Sequence, residues 1–137
     1  GLLAAGGGGG CRAVRRCVAF LLSHQNPNGG WGETYLSCVD KTYTQDSMFV
    51  SGSSGVVQTA WAVLALMGAE VSSPQEREAV NRGIRYIISK QQKDGDWAQE
   101  NITGVFNRSC GITYTSYRNV FPIWALARHS HWSKKHA

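Results

Sequence analysis

The chain has 137 residues, 42% apolar and 17% charged, a composition that excludes a disordered chain and leaves room for one domain with a modest core. Its net charge of +5 comes from Lys and Arg that are scattered, apart from Arg15 with Arg16 and Lys134 with Lys135, so no nucleic-acid partner is expected. No run of about 18 apolar residues is present to span a bilayer, and no secretory signal pattern is visible.

The opening GLLAA reads as a helix end, and Gly6 to Gly10 as a flexible loop, because unbroken glycine loses too much backbone entropy to stay helical. From Cys11 to Gln25 the spacing of Val14, Val18 and Leu21 predicts an amphipathic helix, closed by Asn26-Pro27-Asn28-Gly29-Gly30. His24, at its end, is expected on the surface. Trp31 to Gly55 has no helical period and reads as a long loop, with a short strand or turn near Tyr35 or Phe49.

Val56 to Ala69 is apolar on nearly every face, which predicts an interior helix. Ser73, Pro74 and Glu76 then form a capping-box start for a helix running to about Gln92, with Val80, Ile84 and Ile87 on its apolar line. Lys93-Asp94-Gly95 ends it. Ile102 to Trp124 begins as a loop and turns helical, carrying Phe106, Tyr114, Tyr117, Phe121 and Trp124 with Arg108 and Arg118 as its only charges. A last helix is expected from about Ser116 to Ser130, followed by a solvated basic tail holding His129, His131 and His136.

Cys11, Cys17, Cys38 and Cys110 form no CxxC pair and have no His at metal-site spacing, so free thiols in a reducing compartment are expected and a zinc site is not. Asn101-Ile-Thr and Asn107-Arg-Ser are chance sequons on this reading.

The frame R-x3-[FY]-x4-Q-x3-G-x-W occurs twice: Arg16 and Arg82, Phe20 and Tyr86, Gln25 and Gln91, Gly29 and Gly95, and Trp31 and Trp97 are each 66 residues apart. Each repeat combines an amphipathic outer helix with an apolar inner one, in units of about 11–69 and 74–130. Such hairpins suit a ring, and two of them do not close one; with Gly1 in place of an initiating Met, the expectation is a piece of a larger ring with apolar flanks.

The two copies, RRCVAFLLSHQNPNGGW and RGIRYIISKQQKDGDW, resemble the QW repeat of the triterpene cyclases. GDWAQENITGVFNRSC and YTSYRNVFPIWALAR resemble the C-terminal end of the oxidosqualene cyclases, of the lanosterol synthase type. The squalene-hopene cyclases carry a Gly-Phe-Pro-Gly type loop where this chain reads Gly104-Val-Phe-Asn-Arg-Ser-Cys. The likeness spans nearly the whole chain and fails at the pentaglycine, near Asp40 to Gly55 and at the tail. It implies an all-α fold, part of an (α/α) toroid of helical hairpins.

The resemblance further implies an isomerase segment that helps convert (S)-2,3-oxidosqualene to a tetracyclic sterol precursor without metal or other cofactor, on a monotopic protein of the endoplasmic reticulum membrane or lipid droplet. By position it makes Phe106 a cation-stabilising ring of the cavity, and Tyr114 either a second wall residue or a buried hydrogen bonder. It places Cys110 and Tyr117 at or behind that wall, and Gln25, Trp31, Gln91 and Trp97 in the structural turns. The family's acid lies in an Asp-Cys-Thr-Ala-Glu tract that this chain does not contain, so the segment alone is expected to be inactive. A cycloartenol or other triterpene synthase remains an alternative, as does a non-catalytic helical-repeat binding module.

Overall fold

A computed structural model describes residues 10–45, 54–100 and 102–136. In order these form α1 (Arg12–Ser23), α2 (Leu36–Asp40), α3 (Val56–Gly68), α4 (Pro74–Ser89), β1 (Gly104–Phe106), β2 (Cys110–Ile112) and α5 (Tyr117–His136). The expectations for residues 1–9 and for Phe49 lie outside the described residues.

Helix α3 is the centre of the packing, laid against both α4 and α5. Val56, Val57, Ala60, Ala62, Val63, Leu66 and Met67 are all buried along it, as an all-apolar helix between partners requires. Helix α4 buries Val80, Ile84 and Ile87 and starts as its sequence dictates. Ser73 Oγ accepts from Glu76 N at 3.3 Å, Glu76 Oε2 accepts from Ser73 N at 2.9 Å, and Pro74 occupies the first helical position. It ends at Ser89 rather than Gln92, and α1 likewise at Ser23 rather than Gln25, because each glutamine is turned into the following loop.

Two expectations are corrected toward the C-terminus. Helix α5 continues to His136 where a tail was expected after Ser130. Trp132 is buried there, and His129 is half-buried with its Nε2 3.0 Å from Asn81 Oδ1 of α4, so this end is packed rather than solvated. The glycine-containing loop before α5 is a hairpin, β1 pairing antiparallel with β2 in the register Phe106 to Cys110. In the long first loop, α2 follows Tyr35, while antiparallel bridges join Trp31 to Gly55 and Glu33 to Gln45.

His24 is also not a plain surface residue. Its ring centroid lies 4.1 Å from that of Phe20 and 4.2 Å from that of Tyr43, and Nδ1 is 2.7 Å from Phe20 O.

Equivalent positions of α1 and α4 differ sharply in burial. Ala79, Gly83 and Tyr86 of α4 are covered, whereas Ala13, Cys17 and Phe20, 66 residues earlier, are exposed. Tyr86 is 4% exposed and Phe20 47%. Helix α5 adds a second uncovered apolar face with Val120, Ile123 and Trp124.

Candidate active-site wall

Each repeat turn is closed by the same set of bonds. Gln25 Nε2 donates to Gly29 O at 2.8 Å and Gln91 Nε2 to Gly95 O at 2.9 Å; Trp31 Nε1 donates to Leu21 O at 2.7 Å and Trp97 Nε1 to Ile87 O at 2.9 Å. The indole therefore satisfies a carbonyl in the last turn of its helix, while the glutamine closes the loop. Gly29 and Gly95 have φ of 91° and 89°, the left-handed conformation that glycine adopts without strain. Gln25 goes further than its counterpart and donates to Ala79 O of α4 at 2.9 Å, joining the two units.

The turns also position the segments beyond them. Trp31 N donates to Thr59 Oγ1 at 3.0 Å and Gly55 N to Trp31 O at 2.9 Å, fixing the first turn to the start of α3. The second turn reaches α5 through Asp96, whose Oδ2 accepts from Arg118 at 3.0 Å and whose Oδ1 accepts from the Asn119 amide. The start of α3 is met again by Glu100: Val56 N donates to Glu100 Oε2 at 2.6 Å, and burial pushes this carboxyl above its usual range.

From Trp97 the chain runs out into the hairpin. Asn107 and Arg108 both take positive φ, 49° and 62°, the conformation of primed hairpin turns, and Ser109 N closes the turn on Phe106 O at 3.2 Å. Tyr114 lies over the base of the hairpin, so close that a Cβ at Gly104 would stand 2.7 Å from its Cε2. Its ring stacks on Tyr117 at 4.6 Å and 18°, and Tyr117 meets Phe121 and Trp61 edge-on at 5.0 and 5.9 Å. A continuous aromatic wall thus runs from the hairpin onto α5 and α3.

The four residues assigned to the cavity by resemblance are not all brought together. Tyr114 and Tyr117 share the aromatic wall. Phe106 stands near the tip of the hairpin, 62% exposed, opposite the exposed Cys110, and takes no ring contact among the described residues. Beneath the hairpin lies an open cavity of about 600 Å³ that Gly104 and Val105 reach but the Phe106 ring does not; Trp31, Trp61, His24 and Tyr43 also line it. Gln58 Oε1 and Thr103 Oγ1, both buried and without a hydrogen-bond partner among the described residues, belong to residues on the same cavity. The sequence alone assigns no role to Gln58, Tyr43, Glu100 or the Asp96 to Arg118 pair. The one signal for Glu100 is negative: Gly55, the N-cap of α3, has no side-chain oxygen to offer.

The family model described as "Squalene-hopene cyclase C-terminal domain" matches residues 1–131. The chain belongs to this family. Among curated proteins the chain is similar to the lanosterol synthase of Homo sapiens, 51% identical over 88% of this chain and 15% of that protein. The lanosterol synthase of Mus musculus is 50% identical over 90% of the chain and 16% of the protein, and that of Saccharomyces cerevisiae, ERG7, 44% identical over 85% and 15%. The chain thus spans about one-seventh of the length of these relatives. The fold is that of the family's helical (α/α) toroid, all-α among the described residues save for one short hairpin.

Proposed function

We propose that this chain is a wall segment of an oxidosqualene cyclase that converts (S)-2,3-oxidosqualene to lanosterol. The observation that carries the reading is the aromatic wall of Tyr114, Tyr117, Phe121 and Trp61 at the base of the hairpin, in a chain 44 to 51% identical to lanosterol synthases of animals and yeast.

The reaction is an isomerisation: an acid protonates the epoxide, ring closure carries the positive charge along the chain of the substrate, and a proton leaves at the end. The acid belongs to a tract outside this sequence. What these residues supply is a surface of ring faces, each worth about 0.5 to 2 kcal/mol to a cation and offering it no nucleophile. Because the neutral substrate gains little from them, they favour the cationic transition states selectively. Phe106, on the exposed tip, is the ring the hairpin presents to the rest of the toroid, and its uncovered state matches the uncovered faces of α1 and α5.

The location we propose, the endoplasmic reticulum membrane or lipid droplet with monotopic attachment, is supported by the sequence resemblance alone; no helix among the described residues is long and apolar enough to cross a membrane. Incubating the full-length protein with 2,3-oxidosqualene and identifying products by mass spectrometry tests the activity. A lanosterol-type tetracycle is expected; a plant-type tetracycle would move the reading to cycloartenol synthase, and pentacycles made only from squalene would refute it.

A further inference from the structure

The hairpin that carries Phe106 is held at its base only. Residues 106–111 are exposed throughout, and the pairing of β1 with β2 is internal to the hairpin, so neither fixes where it points. Its C-terminal side is secured by Tyr114, packed on Gly104 and stacked on Tyr117. Its N-terminal side is secured four residues before β1, by Glu100.

Glu100 is a half-buried carboxylate bonded to Val56 N, the first helical residue of α3. Four N–H groups at a helix start lack partners within the helix, and an N-cap side chain normally answers one of them. Here the N-cap is Gly55, and the oxygen comes from 44 residues further along the chain. A carboxylate suits the place, because its charge lies at the positive end of the helix dipole. Keeping a charge half out of water is costly, so a local Ser, Thr or Asn at position 55 would cap α3 more cheaply. The tie from Glu100 does something a local cap cannot: it joins the segment entering the hairpin to the inner helix that carries Trp61.

Resting on the reading of this chain as a cyclase wall, we propose that Glu100 is a positioning residue, whose bond to Val56 N sets the direction of the Gly104–Ile112 hairpin and thereby the placement of Phe106 and Tyr114 against the substrate. Cation cascades are sensitive to such placement. A ring displaced by an ångström stabilises the intended cation less, and deprotonation at an earlier cation competes.

The test uses the full-length cyclase with Glu100→Ala and Glu100→Gln, assayed for total substrate consumed, product composition and amide exchange over 102–114. Glu100→Ala should raise the ratio of incompletely cyclised or rearranged alcohols to the normal product about tenfold, the factor that about 1.4 kcal/mol of lost differential stabilisation produces. Exchange in the hairpin should speed up while α4 stays protected. Glu100→Gln keeps an acceptor oxygen and should return the ratio to within about twofold of the parent. Unchanged product composition in Glu100→Ala, even with a lower melting temperature, overturns the proposal, as does a Gln variant as impaired as the Ala one. A parent protein that makes no cyclic product from oxidosqualene refutes the cyclase reading instead, and the exchange data then still decide whether Glu100 holds the hairpin.

Discussion

The guanidinium of Arg118 donates to Asp96 Oδ2 at 3.0 Å, with both side chains about 30% exposed. Asp96 belongs to the second repeat turn and Arg118 to the first turn of α5, so this pair ties the exit of α4 to the start of α5. Asp96 Oδ1 accepts from Trp97 N at 2.7 Å and also from Asn119.

Asp96→Ala should therefore cost more than an ordinary surface pair. A double-mutant cycle with Arg118→Ala, read from denaturant midpoints of the full-length protein, should give a coupling of about 1 kcal/mol, at the upper end for partly screened pairs. Additive effects of the two variants would show that the pair is incidental.

Glycine substitutions should separate the two repeat turns, although both glycines share a positive φ. A Cβ on Gly29 would meet the Arg82 carbonyl oxygen at 2.8 Å, whereas one on Gly95 would meet nothing within 4 Å. Gly95→Ala carries only the cost of a left-handed alanine, about 1 to 2 kcal/mol. Gly29→Ala adds displacement of backbone at the contact between units, and its unfolding midpoint should fall distinctly further. Equal losses would mean that the close approach of the turn to α4 does not matter to stability.

The indole N–H bonds are predicted to matter more than the glutamine bonds. Trp97 is 1% exposed and donates to Ile87 O, a carbonyl that keeps only Lys90 N, at 3.2 Å, in Trp97→Phe; the lost bond costs about 0.5 to 1.5 kcal/mol, in addition to lost packing. Gln91 is exposed, and Gln91→Ala should cost under about 1 kcal/mol. Thermal melts of the two variants give the comparison directly, and a reversed order would contradict it.

That contrast also shows what the sequence disclosed. The turns were legible because Gln, Gly and Trp recur at one offset, and α3 and α4 because an all-apolar run and a capping box each have one plain structural solution. The ties across the chain were not legible: nothing near Glu100 or Asp96 in the sequence signals a partner 44 or 22 residues away. Lys134 and Lys135 suggest a solvated tail and hide Trp132, which with His129 packs that end down. For the wall, family likeness named Phe106 and Tyr114, but only coordinates separate an exposed tip from a stacked base.

Titration should reveal opposed groups. Burial holds His129 below its usual value, so the folded state favours neutral imidazole; its contribution to stability is full above the unfolded pKa of about 6.5 and is lost as pH falls through the folded value. Glu76, held low by the Ser73 N–H, likewise contributes above about 4.5 and fades as acid protonates it. Glu100, pushed up by burial, acts in the other sense, its contribution being largest at low pH and lost as pH rises from about 4.5 through the folded value. Glu100→Gln should therefore gain most in melting temperature, relative to the parent, at neutral pH and least near pH 4. A gain that is greatest in acid would contradict the assignment.

Within the aromatic wall Tyr114 is the decisive residue, because its ring both packs the hairpin base and stacks on Tyr117 at the start of α5. With purified full-length protein and 2,3-oxidosqualene, the parent should yield a lanosterol-type tetracycle. Tyr114→Ala should release mono-, bi- or tricyclic alcohols, or misplaced double-bond isomers, as a substantial fraction of product while epoxide opening continues. A parent that leaves oxidosqualene unchanged, or a Tyr114→Ala protein with the parent's rate and product, would contradict the account.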